Sequence, residues 1–227
     1  MSTPHPKAAA LSPSRARRDR EKVQTRRRIL EAARELFTKV GYAQTSMRRI
    51  ADAIGYTATA IYHHFHDKDA LLNELCANDF RALNNALRLM DQIPDPITRM
   101  RLMGQNYVIF ALSHPQQFRF MFMIERPMPG PDVITVDPAE DGYLFLLTNV
   151  KEALELGLFR PDLKDPELIA QMLWAGAHGI AAIHLHSPDK VHPWLDLRGP
   201  EETAAALIDV MLRGVLKDPQ QLEQRSQ

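Results

Sequence analysis

Three stretches with the apolar spacing of a helix, separated by two glycines, most constrain what this chain folds into. The first spans roughly residues 22–40, and its apolar face consists of Ile29, Leu30, Ala33, Leu36, Phe37 and Val40. Gly41 follows at the position where helices commonly end in a left-handed residue. Thr45 and Ser46 are both typical N-caps for a second helix that ends at Gly55, and Thr57 is one for a third. Two helices of about eight and nine residues, joined by a turn of about three, predict a helix-turn-helix.

The rest of the chain continues the helical spacing, and prolines mark where its helices start or stop. The later helices are predicted at about 68–90 after an Asp67 cap, about 97–112, a short aromatic segment holding Phe118, Phe120 and Phe122, Pro138–Gly157, Pro166 to about His186, and from Pro200 through Val215. Residues 126–138 hold four prolines and form the longest predicted loop. No strand pattern occurs, so we expect an all-α protein of about nine helices.

Charge divides unevenly along the chain. Residues 1–72 hold 14 Lys and Arg against 7 Asp and Glu, whereas residues 73–227 hold 14 against 21. The basic residues begin in a proline- and serine-rich arm, and the run continues into the first helix as Arg26, Arg27 and Arg28. A basic N-terminal third on an acidic remainder is typical of a module that binds a polyanion. A solvated basic tail without a partner is the alternative interpretation.

The composition excludes several classes of protein. The single cysteine, Cys76, argues against a disulfide framework and a multi-cysteine metal site. No run approaches the ~18 apolar residues of a membrane-spanning helix, and no apolar run follows the N-terminal charges as in a secretory signal. No nucleophile–base spacing, phosphate loop, dinucleotide fingerprint or helical histidine pair is present. We therefore expect a cytoplasmic protein that is not an enzyme, with no cofactor, no metal and no membrane partner.

Residues 26–75, RRRILEAARELFTKVGYAQTSMRRIADAIGYTATAIYHHFHDKDALLNEL, resemble the DNA-binding domain of the TetR family of bacterial transcriptional regulators. The shared features are a glycine after helix 1, Thr-Ser before helix 2, Ile-Ala-x-x-x-Gly, Ile-Tyr-His-His-Phe and Asp-Lys-x-x-Leu-Leu. Their joint occurrence at this spacing is highly specific. The resemblance implies a homodimer that binds a double-stranded DNA operator through one recognition helix on each chain.

The third helix is the expected recognition helix, with Ile61 and Phe65 buried and its other face turned to the major groove. Thr59 suits a base edge, and Tyr62 is a residue type that contacts phosphate, although packing against helix 1 is the alternative for Tyr62. By residue type and by resemblance, the predicted DNA contacts are Thr45, Ser46, Arg48, Thr57, Ala58, Thr59, Tyr62, His63, His64 and Lys68.

Residues 171–186, QMLWAGAHGIAAIHLH, resemble the Trp-x-x-x-His-Gly (WHG) segment of one subclass of TetR-family ligand domains. Trp174 and His178 are four residues apart and share one helix face, where they either contact a ligand or belong to the core. The candidate ligand contacts are Met100, Met103, Tyr107, Phe110, Phe118, Phe122, Met123, Trp174 and His178. A mostly apolar set of this kind suits a largely apolar small-molecule inducer.

The chain is therefore expected to be a ligand-responsive transcriptional regulator, a repressor that binds a palindromic operator as a dimer and is released by a small molecule. Its expected parts are a flexible basic arm (1–21), a helix-turn-helix domain (22–68), a helical regulatory and dimerisation domain (69–217) and a polar, frayed tail (218–227). The last two helices carry small residues and the apolar edge Leu207, Met211 and Val215. The resemblance implies that pairs of such helices from two chains form a four-helix bundle.

Two other functions stay open on the sequence. One is a helical small-molecule-binding protein or enzyme whose basic arm is incidental, which would show no salt-dependent DNA binding. The other is a DNA-binding regulator without an effector, whose helical domain would lack a ligand-sized cavity.

Overall fold

The structure is a computed structural model, and it describes residues 13–123, 125, 141–186 and 197–224. Within these ranges the chain forms ten helices: α1 (Pro13–Val40), α2 (Met47–Ala53), α3 (Ala58–Tyr62), α4 (Lys68–Arg88), α5 (Pro96–Ser113), α6 (Pro115–Phe122), α7 (Gly142–Glu155), α8 (Pro166–Leu185), α9 (Pro200–Val215) and α10 (Gln221–Gln224). The β-structure described in the same ranges is one isolated antiparallel bridge between Phe159 and Leu216. The predicted all-α class is confirmed.

The chain divides into two compact units, Met1–Leu75 and Cys76–Gln227. The division falls inside α4, beyond the predicted domain limit at residue 68. Residues 1–12 of the predicted arm, the proline-rich loop 126–138, the predicted helix start at Pro138 and the last three residues of the tail lie outside the described residues.

In the first unit, α1, α2, α3 and the first turns of α4 bury an apolar core whose fully buried side chains include Ile29, Phe37, Ile50, Ile61 and Leu71. The predicted caps form: Ser46 Oγ accepts a hydrogen bond from Arg49 N–H and Thr57 Oγ1 accepts one from Ala60 N–H, each at 3.2 Å. Gly41 has a φ of 86°, the left-handed conformation predicted for the end of the first helix. Local signals therefore set the boundaries of the helix-turn-helix.

The first helix is longer than its apolar pattern indicates, because α1 begins at Pro13 rather than near residue 22. The expectation of a flexible arm is therefore wrong for residues 13–21. Proline suits the first position of a helix, and the segment that follows is free of glycine and further proline up to Val40. Arg17 Nε also donates to Glu21 one helical turn later, at 3.0 Å. An exposed stretch of this kind carries no apolar stripe, so periodicity alone does not detect it.

The helix expected to recognise DNA is shorter than predicted, since α3 has five residues instead of about nine. The chain leaves the helix at His63, and Phe65 still turns inward to a buried position. The amides of His64 and Phe65 both donate to Ile61 O, at 2.8 and 3.0 Å. We call residues 58–65 the recognition segment, because its last turn is irregular rather than helical.

In the second unit, α5 is the central helix and packs against α6, α7, α8 and α9. The predicted start of α8 is confirmed: Asp165 accepts hydrogen bonds from the Glu167 and Leu168 amides, with Pro166 at the first helical position. Arg101 forms a bidentate pair with Asp209, at 2.6 and 2.7 Å, and so joins α5 to α9.

Part of the predicted dimer edge lies where α8 and α9 approach each other within one chain. A Cβ atom at Gly176 would lie 2.6 Å from Met211 Cε and 3.4 Å from Leu207 Cδ2, so these two side chains occupy the space that the glycine leaves. Val215 is buried. Leu207 and Met211 are half-buried. The large apolar side chains exposed on these two helices are Leu168, Met172, Trp174 and Ile183 on α8 and Val210 on α9.

The end of the chain is more ordered than its polar composition indicates. Gln221–Gln224 form α10, so the prediction of a frayed polar tail is wrong for these residues. Leu222 is buried in the core of the second unit. The burial of this leucine opposes part of the entropy cost of ordering a polar turn.

By length and composition alone, α8 is apolar enough to cross a membrane. In the structure one face of α8 is buried in the second unit, with Ile169, Leu173, Ala177 and Ile180 pointing inward. A core helix meets the same criterion, so this helix is weak support for a membrane span and does not change the expectation of no membrane partner.

Candidate functional site

The recognition segment presents one buried and one exposed face. Ile61 and Phe65 are buried, as predicted. Thr59, Tyr62 and His63 are exposed. Tyr62 exposes 53% of its surface, which favours an outward orientation over packing against the first helix. The outer face therefore offers a hydroxyl, a phenol and an imidazole to a partner.

Two of the predicted DNA contacts lie inside the first unit instead. Thr45 is buried, and its hydroxyl donates to Gly41 O at 2.8 Å. Lys68 Nζ donates to Tyr42 O and Thr45 O, at 2.9 and 3.0 Å, and lies 4.0 Å from the centre of the Tyr42 ring. Both side chains stabilise the turn between α1 and α2, because they donate hydrogen bonds to its backbone carbonyls. Ser46 and Thr57 likewise use their side-chain oxygens as caps, whereas Arg48 is exposed.

His64 differs from its exposed neighbour His63. Its ring is half-buried, and Nδ1 is buried without a hydrogen-bond partner. Burial lowers the pKa of His64, and the positive charges of Arg26 and Lys22 lower it further. The imidazole is therefore neutral near pH 7, so it suits a single neutral hydrogen bond rather than a charged phosphate contact. Among the residues that the structure describes, no group of three or more His, Cys, Asp and Glu is placed to hold a metal ion.

In the second unit, five of the predicted ligand residues come together as an aromatic cluster from three helices. Its members are Tyr107 of α5, Phe118 and Phe122 of α6, and Trp174 and His178 of α8. The His178 ring centre lies 5.3 Å from that of Phe118, 5.1 Å from that of Phe122 and 5.5 Å from that of Trp174. We call these five residues the effector cluster, after the ligand contact predicted for each of them.

A chain of hydrogen bonds runs through the effector cluster. Trp174 Nε1 donates to Tyr107 Oη at 3.3 Å, and Tyr107 Oη lies 2.8 Å from His178 Nδ1. Burial raises the pKa of Tyr107, an effect partly offset by the bond from Trp174, and burial lowers the pKa of His178. Both groups are therefore neutral near pH 7. Because the phenol already accepts from Trp174, its own proton is available for His178 Nδ1, which assigns the imidazole proton to Nε2.

The other predicted ligand residues are not part of this cluster. Met100, Met103 and Phe110 are buried in the core. Met103 Sδ accepts from Asn149 Nδ2 at 3.9 Å, and the Phe110 ring stacks on His114 at 4.6 Å. Met123 is half-buried at the end of α6. Met100, Met103 and Phe110 thus pack as core residues.

Two residues that the sequence did not single out extend the cluster. Tyr143 of α7 meets the Trp174 ring edge-on at 6.2 Å, and Phe80 of α4 meets the Phe122 ring in the same way at 5.7 Å. Both contacts join helices that are distant in the sequence, so no local pattern indicates them.

Comparison with known proteins gives the chain's relatives. Residues 29–75 match the family described as "Bacterial regulatory proteins, tetR family", and residues 100–213 match "Tetracyclin repressor-like, C-terminal domain". The HTH-type transcriptional regulator UidR of Escherichia coli K12 is 39% identical over 164 residues, which cover 70% of this chain and 80% of UidR. The HTH-type transcriptional repressor KstR2 of Mycobacterium tuberculosis is 26% identical over 148 residues, covering 64% of this chain and 74% of KstR2.

A solved structure agrees with these sequence matches. The crystal structure of the TetR family transcriptional regulator PfmR from Thermus thermophilus superposes with a TM-score of 0.61. The two chains are 25% identical, and the superposition covers 82% of this chain and 97% of PfmR. The similarity therefore extends over both units rather than the helix-turn-helix alone.

Proposed function

Because the chain belongs to the TetR family of bacterial regulatory proteins, it is a DNA-binding transcriptional regulator, and we propose a specific operator surface and effector site for it. Members of this family respond to small molecules and are typically cytoplasmic homodimers. Its relatives are regulators rather than enzymes, which supports the expectation of no catalysis. The Trp174 to Gly179 segment supports placing the second unit in the WHG subclass.

The operator surface is the exposed face of the recognition segment together with Arg48. The observation that carries this proposal is the opposition of a buried Ile61 to an exposed Thr59, Tyr62 and His63 within a basic unit. Thr59 offers a methyl group and a hydroxyl to base edges, and Tyr62 offers a phenol to a phosphate. Two copies of this surface on a dimer read a palindrome whose half-sites lie about one helical turn of DNA apart.

Selection from random duplex DNA tests this surface and returns the operator. We expect the full chain to enrich a two-fold symmetric sequence and to bind it with a steep dependence on salt. Thr59→Val keeps the shape and removes the hydroxyl, so it should change the preferred bases. Thr148→Val on α7 is the matched control, because Thr148 is also an exposed helical threonine, and it should select the parent operator. An unchanged preference in Thr59→Val would remove Thr59 from the base contacts.

The effector cluster is the proposed site of the small-molecule ligand. A neutral His178 N–H surrounded by aromatic rings combines an apolar wall with a directed hydrogen-bond donor, which is the usual composition of a ligand site. A ligand bound there releases the operator only if it binds the DNA-incompetent state more tightly than the competent one. The cluster thus supplies the ligand contacts, and the population shift supplies the response.

Single substitutions separate the effector site from the operator surface. In His178→Gln and Tyr107→Phe, operator affinity without inducer should persist, while release by an inducer should require higher concentrations. Tyr143→Phe is the matched control, because its hydroxyl bonds the exposed Glu167 at 2.9 Å rather than His178. The measurement is operator affinity with and without inducer for each variant. If His178→Gln and Tyr107→Phe both respond like the parent, the ligand binds elsewhere in the second unit.

The dimer surface follows from the apolar side chains that stay exposed. Leu168, Met172 and Ile183 recur at helical spacing along α8, and Val210 projects from the neighbouring α9 with 65% of its surface exposed. Apolar patches of this kind mark interaction sites on helical proteins. We place the partner chain on this face, rather than on Leu207 and Met211, whose side chains fill the space beside Gly176.

A further inference from the structure

The guanidinium of Arg26 joins three parts of the first unit. Arg26 Nε donates to Glu74 Oε1 at 3.0 Å, and its Nη2 pairs with Glu74 Oε2. Its Nη1 donates to His64 O, in the last turn of the recognition segment, at 2.6 Å. The same group lies 4.0 Å from the centre of the Phe65 ring. One side chain of α1 therefore holds the end of the recognition segment and the second turn of α4 together.

The recognition segment depends on such tertiary contacts for its orientation. Its helix has five residues, too few to be stable through its own backbone hydrogen bonds. After Tyr62 the turn is irregular, and the charged fork of Arg26 supplies a hydrogen-bond donor to His64 O. A planar arginine fork can satisfy a carboxylate and a nearby carbonyl at once, which a lysine cannot do.

We propose that Arg26, together with Glu74, is a positioning residue for DNA recognition. The pair fixes the orientation of residues 58–65, and the Arg26 guanidinium does not contact a DNA phosphate. This inference rests on the proposed operator surface. Its geometric basis is that the Arg26 charge is paired within the protein, while its side chain remains 38% exposed. The sequence shows Arg26 only as one member of a basic run, the pattern expected of a phosphate contact.

The sign of the effect of Glu74→Gln on operator affinity tests the proposal. Removing a negative charge from a DNA-binding unit strengthens DNA binding if only electrostatics matter. A positioning role predicts the opposite, because the competent orientation becomes less populated in each of two chains, and we expect roughly tenfold weaker binding. Glu31→Gln is the matched control: Glu31 pairs with Arg27 at 2.8 Å on the exposed side of α1. That variant should bind as tightly as the parent or up to about twofold more tightly.

Arg26→Lys gives a second test that keeps the charge. It should weaken operator binding about as much as Glu74→Gln, whereas Arg27→Lys should not. Without DNA, hydrogen exchange of the His64 and Phe65 amides, which bond to Ile61 O, should be faster in Arg26→Lys than in the parent. Circular dichroism at the assay temperature confirms that each variant is folded.

The outcomes separate this inference from the proposed function. If the parent chain selects no operator, both the proposed function and this inference are overturned. If the parent selects an operator and Glu74→Gln binds it as tightly or more tightly, the inference alone is overturned. Unchanged exchange of the His64 and Phe65 amides in Arg26→Lys overturns it as well.

Discussion

Replacing Tyr107 by phenylalanine removes one oxygen atom from the effector cluster. Tyr107 is buried, and that oxygen holds both hydrogen bonds of the chain, to His178 at 2.8 Å and from Trp174 at 3.3 Å. The ring stays, so its contact with Phe118 at 5.6 Å is preserved. The substitution therefore isolates the hydrogen bonds from the packing.

The two lost hydrogen bonds contribute unequally to the free energy of unfolding. Trp174 is 39% exposed, so its N–H can bond to water once the phenol is gone, and the longer bond contributes little. His178 is only half-exposed and loses the shorter bond, which costs about 1–1.5 kcal/mol. The total is about 1–2 kcal/mol in the free energy of unfolding. For a unit of about 150 residues, this lowers Tm by roughly 3–6 °C.

Calorimetry of the parent, Tyr107→Phe and Tyr143→Phe measures this difference. The Tyr143 hydroxyl bonds an exposed carboxylate, so its removal should lower Tm by about 1 °C or less. A double-mutant cycle with His178→Gln should return a coupling of about 1 kcal/mol between Tyr107 and His178. If Tyr107→Phe has the same Tm as the parent, or the coupling energy is zero, the chain of hydrogen bonds does not form in solution. Its proposed role in the effector site then fails.

Four further substitutions test other parts of the structure. Burial lowers the pKa of His178 from 6.5, so the unfolded chain binds the proton more readily than the folded chain. The free energy of unfolding, measured by urea titration, should therefore fall as the pH drops below 6.5, and it should fall less in His178→Gln. In Gly104→Ala the new Cβ lies 2.7 Å from Ile208 Cδ1. The cost of overpacking should exceed the gain in helix propensity, so the free energy of unfolding in the same titrations should fall by about 1 kcal/mol. Val210→Glu should yield monomers by light scattering, since a buried unpaired charge is costly at an interface. Tyr62→Ala should weaken operator binding by up to about a hundredfold for a dimer while Tm stays within about 1 °C.

Two of these substitutions have a matched control within the chain. Gly214→Ala meets no atom within 4 Å and should stabilise or leave stability unchanged; a loss equal to that of Gly104→Ala would mean that steric contact is not the cause. Leu156→Glu is another exposed apolar position, at the end of α7, and should stay dimeric. A dimeric Val210→Glu would move the interface away from α9. If Tyr62→Ala binds the operator as tightly as the parent does, the Tyr62 phenol does not contact DNA.

Local sequence signals predicted most of the helices, because helix boundaries depend on neighbouring residues. The caps at Ser46, Thr57 and Asp165 and the left-handed Gly41 all stand where their residue types favour them. The start of α1 at Pro13 was missed, since an exposed helix carries no apolar periodicity to detect. The end of α3 was missed for a related reason: burial of Phe65 is satisfied by an irregular turn as well as by a helix.

The residue types of both sites were predictable, but their partners were not. Thr45 and Lys68 are polar residues of the kind that contacts DNA, and only the folded turn shows that their polar atoms bond the backbone instead. Tyr107 and His178 are 71 residues apart, and their hydrogen bond exists because α5 and α8 pack side by side. Arg26 and Glu74 are 48 apart, and a sequence records the charge of each without the pairing. Amino-acid order thus determined the helices and the family of this protein through short-range periodicity and capping, whereas packing between distant helices decided which polar groups are free to meet a ligand or DNA.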